Sequence, residues 1–220
     1  MKTSTSRFYT PIFKFIMSST VVVELATFPA TEAYKADPTV IHPALEIISK
    51  AKGARNIYHG LQYEDKATAY LVIIWDSLED HHALLSDKDI YPKIMEGFAT
   101  SIGGPHNLVH VAFKPLVAPI AHLTAPISEF AVQTLKEGKT NADLEGFVWN
   151  PAVTGDGSQV VVGKVVEKED QYVLLKGWES YEAHQNARNG NDENVKKFIT
   201  YLHTVVDTSV AHVPLKEYKA

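Results

Sequence analysis

Two seven-residue stretches decide the fold: Trp75-Asp76-Ser77-Leu78-Glu79-Asp80-His81 and Trp178-Glu179-Ser180-Tyr181-Glu182-Ala183-His184. They lie 103 residues apart and share four of seven positions: Trp, Ser, Glu and His. Each follows an apolar run, at 70–74 and 172–175, and each leads into a helical stretch and then a strand-like segment, at 107–113 and 209–213. Matched flanks around a matched corner point to one unit used twice.

Working outward, the first copy opens on a β-branched strand at 20–27. Asp37-Pro38, a cap followed by proline at the first helical position, starts a helix to about 51, ended by Lys52-Gly53. Residues 56–64 alternate Ile57, His59, Leu61, Tyr63 against Tyr58, Gly60, Gln62, Glu64, the period of a strand with two unlike faces. A turn at Asp65-Lys66 leads to a strand at 68–75. Ser77, with Asp80 three residues on, starts a helix to about 102 that Pro92 breaks or kinks, and 107–113 is the fourth strand. The second copy repeats the order at 127–136, 141–149, 159–168, 171–178, 180–204 and 208–214. The fold class is therefore α+β: two tandem ferredoxin-like β-α-β-β-α-β units. Each leaves one sheet face bare, an apolar patch too large for a lone soluble unit. Packed sheet to sheet in one chain, as an intrachain α/β barrel, they cover one another. The expected partition is an extension at 1–19, unit 1 at 20–115, a Pro-rich connector at 116–126 and unit 2 at 127–215.

The 220 residues are 45% hydrophobic, which supports a substantial core. Twenty-one basic against 26 acidic residues, net −5, argue against nucleic acid as a partner. No apolar run reaches the ~20 residues of a membrane span. With no cysteine, disulfides, thiolate nucleophiles, iron–sulfur clusters and thiolate zinc sites are excluded. The absence of an N-x-S/T sequon favours a cytoplasmic protein. Residues 1–19 carry Lys2, Arg7 and Lys14 and no acid, which suits a loose extension or a transit peptide; Met17 is an alternative start.

Two such halves, each with Trp-[Asp/Glu]-Ser-x-Glu at the strand-to-helix corner, resemble the dimeric α/β-barrel superfamily in a tandem, fused form. That group includes the antibiotic-biosynthesis monooxygenase domain and the stress-responsive A/B-barrel domain. The resemblance spans about 20–215. It implies a pocket between sheet and helices in each half, acting on aromatic or polyketide-like molecules without metal, flavin or nicotinamide. The stress-responsive branch carries a His-Pro-x-His segment about a dozen residues past the corner. Here those stretches read Asp87-Lys88-Asp89-Ile90-Tyr91-Pro92 and Gly190-Asn191-Asp192-Glu193, so that histidine is missing from both halves. The fold transfers and the chemistry does not.

Six of the ten histidines (His42, His59, His81, His82, His106 and His110) lie in the first half. Residues present in both copies, Trp75/Trp178, Ser77/Ser180 and Glu79/Glu182, are read as serving the fold; His110 and His212 are nearly symmetric as well. His59 is not, since its counterpart stretch is Val160-Val161-Val162. Interrupting an apolar strand face, it is a candidate acid or base, with Tyr63 as a donor to a developing oxyanion and His110 alongside. A core histidine satisfied by a backbone carbonyl is the structural alternative. Tyr58, Trp75 and His81 are the expected substrate contacts. His81 and His82 point about 100° apart on a helix and do not chelate one ion together; no H-E-x-x-H or H-x-H occurs, and no metal is expected. Phosphate-loop and G-x-S-x-G motifs are absent too, so no cofactor is expected. The leading reading is a cofactor-independent enzyme on a small, apolar, natural-product-like molecule, working by cyclisation, isomerisation or elimination. A cofactor-independent quinol-type monooxygenase and a non-catalytic small-molecule-binding or stress-response module are the alternatives. The first half, richer in histidine, is expected to hold the working pocket. A homodimer through helix faces is left open.

Overall fold

Strand β1 (Val22–Pro29) begins the computed structural model's account of the chain, which describes residues 21–114, 119–148, 160–190 and 193–220. Helix α1 (Glu32–Ala36), a 3-10 turn (Pro38–Ile41) and α2 (His42–Ser49) lead to the hairpin of β2 (Ala54–Leu61) and β3 (Thr68–Trp75). Helices α3 (Leu78–Ser86) and α4 (Tyr91–Phe98) then return the chain to β4 (Asn107–Lys114). After α5 (Ile120–Leu123) come β5 (Ile127–Leu135), α6 (Asn141–Val148), β6 (Val161–Val165), β7 (Gln171–Trp178), α7 (Tyr181–Arg188), α8 (Glu193–Val205) and β8 (Val206–Val213). A short β9 (Lys216–Tyr218) ends the order. The expectations for 1–19 lie outside the described residues. No described helix is long and apolar enough to cross a membrane.

Three expected helices are divided, the one at 180–204 into α7 and α8. Asp37 does cap, accepting from Thr39 N–H at 2.9 Å, but it caps a 3-10 turn that follows the separate helix α1. The long helix at 77–102 breaks at Asp87, whose carboxylate accepts from the N–H groups of Asp89 and Ile90, both at 2.9 Å. Pro92 causes no kink: it sits in the first turn of α4, where its missing N–H has no partner to lose. Ser77 and Ser180 do cap α3 and α7, each accepting from the N–H three residues on at 3.1 Å.

The described strands form one nine-stranded sheet in the order β8-β5-β7-β6-β4-β1-β3-β2-β9, antiparallel throughout. Because side chains alternate along a strand, the sheet has two apolar faces to cover. One core layer contains Val23, Leu25, Val72, Ile74, Val109 and Phe113 from the first half with Phe130, Val165, Val173 and Val213 from the second. This is the barrel interior, where the two halves of the curled sheet cover one another. Separate layers lie outside it: Ala26, Phe28, Ile73 and Trp75 against Leu45, Ile94 and Phe98, and Ala131, Tyr172 and Leu174 against Leu144 and Leu202.

Two equivalent seams join the halves. At one, Val166 N–H donates to His110 O at 2.8 Å beside the β4–β6 ladder; at the other, Tyr63 N–H donates to His212 O at 2.7 Å beside the β2–β9 ladder. A glycine stands at the same place in each. A Cβ at Gly60 would meet Pro214 O at 2.7 Å, and one at Gly163 would press Val111 and meet Ala112 O at 3.0 Å.

Candidate functional site

Glu24 is the one acid in the apolar run of β1, and its register sets it opposite Ile73 of β3 and His110 of β4. It therefore faces the helix layer beside Trp75, two residues beyond Ile73. Trp75 Nε1–H donates to Glu24 Oε2 at 2.8 Å, and both side chains are buried. The Ser77 cap sets the first turn of α3, which turns His81 inward onto the Trp75 ring, centroids 4.9 Å apart and stacked. His81 uses its two nitrogens on different partners. Nε2 lies 3.3 Å from Glu24 Oε2, and Nδ1 lies 2.6 Å from His110 Nε2. His110 Nδ1 in turn lies 2.5 Å from Glu167 Oε1, while its backbone N–H donates to Glu167 Oε2 at 2.9 Å. Glu167 belongs to the β6–β7 turn of the other half and is 38% exposed.

The second half rebuilds the set. Trp178 Nε1–H donates to Glu129 Oε2 at 2.7 Å, His184 Nε2 lies 3.7 Å from Glu129, and His184 Nδ1 is 2.5 Å from His212 Nε2. His212 Nδ1 meets Glu64 Oε1 at 2.5 Å, and Glu64 comes from the β2–β3 turn of the first half. Each half thus lends its hairpin carboxylate to the other.

The row Glu24–His81–His110–Glu167 has the donor and acceptor count that a proton relay needs, with its Glu24–His81 step spanning 3.3 Å. With a proton on His110 Nδ1 toward Glu167, His110 Nε2 accepts from His81 Nδ1–H, and His81 Nε2 becomes an acceptor facing a protonated Glu24. Passing one proton from Glu24 to His81 Nε2, and another from His81 Nδ1 to His110 Nε2, leaves a Glu24 carboxylate and a His110 imidazolium with the proton count unchanged. Burial pushes Glu24 up to about 7, against the smaller opposing pull of the Trp75 hydrogen bond. Burial first, then His110 and His82, pushes His81 down to about 4. Near pH 7 Glu24 therefore exchanges its proton while the His81 imidazole stays neutral. Burial likewise raises Glu129 and holds His184 at about 4. At the outlets, burial works upward on Glu64 and Glu167, but their hydrogen bonds with His212 and His110 outweigh it and keep both below the ordinary carboxylate value.

Each relay ends at a cavity between sheet and helices. The first, about 70 Å³, has Glu24, Trp75 and His81 in its wall among Phe28, Ile73, Leu85, Ile94 and Phe98. The second, about 180 Å³, has Glu129, Trp178 and His184 with Gln133, Lys176 and Arg188. The larger and more polar cavity is thus in the second half. Glu24, His81 and His110, and likewise Glu129, His184 and His212, also place donor atoms within 4.8 Å of one another, a set able to gather round a cation. In the present arrangement, however, His81 turns its two nitrogens to two different neighbours, and His184 does the same with a longer 3.7 Å step to Glu129, an order in a row rather than around one point.

Of the residues singled out from sequence, Trp75, His81 and His110 come together here. His59 is buried elsewhere in the helix layer, its Nδ1 2.9 Å from Tyr34 Oη and its ring against His42; burial pushes it down to about 4. Neither His59 nor Tyr63 is in the wall of either cavity. Tyr63 stacks on Tyr181 across the seam at 4.5 Å. Tyr58 points into the barrel interior, its hydroxyl without a hydrogen-bond partner among the described residues. Sequence reasoning missed Glu24, Glu129, Glu64 and Glu167, and it left His184 unused. The available signals were an acid inside an apolar strand at the same place in both copies, and the histidine that closes both corner motifs.

No family model matches the chain, and no curated protein matches it in sequence. Solved structures do. A candidate monooxygenase from Fusobacterium nucleatum aligns over 93% of this chain and 100% of its own, with TM-score 0.65 and 12% identity. One from Lactobacillus acidophilus covers 91% and 97%, with TM-score 0.61 and 12% identity. An anthrone oxidase-like protein covers 90% and 94%, with TM-score 0.68 and 13% identity. The fold is the tandem α/β barrel that these structures share.

Proposed function

We propose that the protein is an enzyme of proton transfer on a small apolar molecule, seated between sheet and helices against Glu24 or Glu129. The observation that carries this reading is the buried carboxyl–His–His–carboxylate row, present twice, which joins each cavity to a solvent-reaching glutamate. An isolated buried carboxyl is costly; one that titrates near neutrality and is wired to the surface suits a general acid–base. The carboxylate removes a proton from a carbon acid or phenol of the ligand, and the relay carries it outward or returns it. Return at another carbon is isomerisation; loss of a leaving group from the anion is elimination; attack of the anion within the molecule is cyclisation. The chain itself supplies acid and base, so the proposed reaction draws on no cofactor. Both outlet carboxylates come from the same chain, so neither site needs a second copy.

A second reading is favoured by the names of the similar structures. The same carbanion can react with dioxygen, converting an anthrone-type methylene to a carbonyl with release of water. Turnover of anthrones, hydroquinones and cyclic enones, followed together by absorbance and an oxygen electrode, separates the two. Oxygen uptake matched to product supports monooxygenation, and product without uptake supports isomerisation or elimination. Full turnover in the Glu24→Gln/Glu129→Gln double variant would defeat both.

A further inference from the structure

The two halves superpose their relays but not their cavity walls. Ile73 lies opposite Glu24 in the β1–β3 ladder, and Lys176 lies opposite Glu129 in the β5–β7 ladder, so these two occupy one position. Phe28 lies opposite Ala69 and Gln133 opposite Tyr172 in the same two ladders, a second equivalent pair. Where the first wall has the Phe28 ring, the second therefore has an amide. Gln133 is only 3% exposed, and its Oε1 accepts from Thr208 Oγ1–H, its neighbour in the β5–β8 ladder, at 2.6 Å. That bond fixes the amide and leaves the Nε2–H donors, which have no acceptor among the described residues, to the cavity that Gln133 lines. Glu129, Ala131 and Gln133 alternate onto one face of β5, which sets the amide about 13 Å along the strand from the Glu129 carboxyl. Between these two polar ends the wall is apolar: Ala131, Leu174, Leu202 and Val210.

We propose that Gln133 sets the specificity of the second-half cavity, donating from Nε2 to an uncharged carbonyl oxygen at the far end of a fused-ring ligand. This ligand class rests on the site read above for what happens at Glu129, although the hydrogen bond at Gln133 does not depend on turnover. A buried amide N–H without an acceptor is costly, and a ketone or enone oxygen meets it without bringing a charge that must be desolvated. The span sets the size. With one hydrogen-bond length taken at each end, the separation of about 13 Å leaves roughly 7 Å between the ligand's polar ends. Two fused six-membered rings cover that length and one ring does not. In the first cavity, Phe28 offers no hydrogen-bonding atom, so the same oxygen would lose water there and gain no partner.

Titration calorimetry of the full chain with 2-tetralone and with its 2-methylidene analogue, in which CH2 replaces the carbonyl oxygen, tests it. The expected result is one 2-tetralone site binding roughly 5- to 20-fold tighter than the analogue, which leaves the amide donor unsatisfied. Gln133→Leu should erase the preference. Thr208 is exposed, so its hydroxyl turns to water in that variant. Should Gln133→Leu fold poorly, Thr208→Val serves as the second variant: it frees the amide to turn and should reduce the preference several-fold. Equal affinities for the two probes, no binding of 2-tetralone, or a preference that survives both Gln133→Leu and Thr208→Val would overturn the inference. A ketone preference retained in a Glu129→Gln protein that turns over nothing supports this ligand class. Glu129→Gln with unimpaired turnover would instead sink the relay reading and leave the binding result standing.

Discussion

The His110 imidazole and the Glu167 carboxylate meet at 2.5 Å, though 57 residues and the link between the halves separate them in sequence. His212 and Glu64 repeat the pair at 148 residues. A hairpin tip from one half therefore completes the buried row of the other, and the stability of each half includes a contribution from its neighbour. Glu167→Gln and His110→Gln, singly and together, should show a coupling of about 1 kcal/mol in urea denaturation; the value is modest because Glu167 is 38% exposed and screened. Additive losses would show that the pair is in contact without coupling.

Glu24→Gln should separate stability from chemistry. A carboxyl raised to about 7 from 4.5 stabilises the fold fully below the unfolded value and loses that contribution as pH rises through 7. The amide is uncharged like the protonated acid and keeps an oxygen to accept from Trp75 Nε1–H, but it cannot release a proton. Relative to the parent, the variant should gain about 1–3 kcal/mol at pH 8 and little at pH 4. With a substrate in hand, turnover that depends on the first half should fall ~10²–10⁴-fold. A thermal-melt series over pH reads the first effect, and a gain that does not vary with pH would contradict it.

The acid limb has the opposite sign. His59, His81 and His184 are held at about 4, so between 6.5 and 4 the unfolded chain takes up protons that the folded chain refuses. Stability should fall as pH drops through that window. His59→Gln and His81→Gln should each flatten the fall by a similar amount. Their effects on chemistry should differ: His81→Gln interrupts the relay, whereas His59, held by Tyr34, lies outside both cavity walls. Equal losses of turnover in the two variants would return His59 to the candidate site.

The duplication was legible in the sequence because local rules set it: a tryptophan ending an apolar run, a serine cap, and the same spacing twice. Period-2 patterning also sorted the strand faces, so the barrel with its inward-facing sheets followed. The site was harder to see. Its members come from β1, β3, α3, β4 and the opposite hairpin, and only pairing register brings Glu24 beside His110. Treating residues kept in both copies as serving the fold left His184 aside, because a duplicated enzyme can duplicate its site as well. His59 drew attention through asymmetry, yet the asymmetry that shapes a cavity wall lies at Ile73 and Lys176. The division of the long helix at Asp87 is likewise a matter of local capping that a proline rule misplaced by five residues.

The two seams should be the most sensitive points of the barrel to added volume. Gly60 and Gly163 hold equivalent places where one half's strand crosses the other's backbone, and in each case a Cβ would press on main-chain atoms that cannot turn aside. Neither glycine has a positive φ, so an alanine there meets a packing penalty and no backbone strain. Overpacking of this kind costs ~1–3 kcal/mol. Gly60→Ala and Gly163→Ala should each lower the midpoint of thermal unfolding by several degrees. The loss should come with greater hydrogen exchange at both seam amides, Tyr63 and Val166, because the two halves close as one barrel. Gly104→Ala, whose Cβ would find only an ordinary 3.4 Å contact with Pro29 Cγ, is the control and should leave the midpoint unchanged. A Gly163→Ala protein as stable as the Gly104→Ala control would mean that the β4–β6 seam is looser than its ladder implies, and that the halves are joined chiefly through their buried faces.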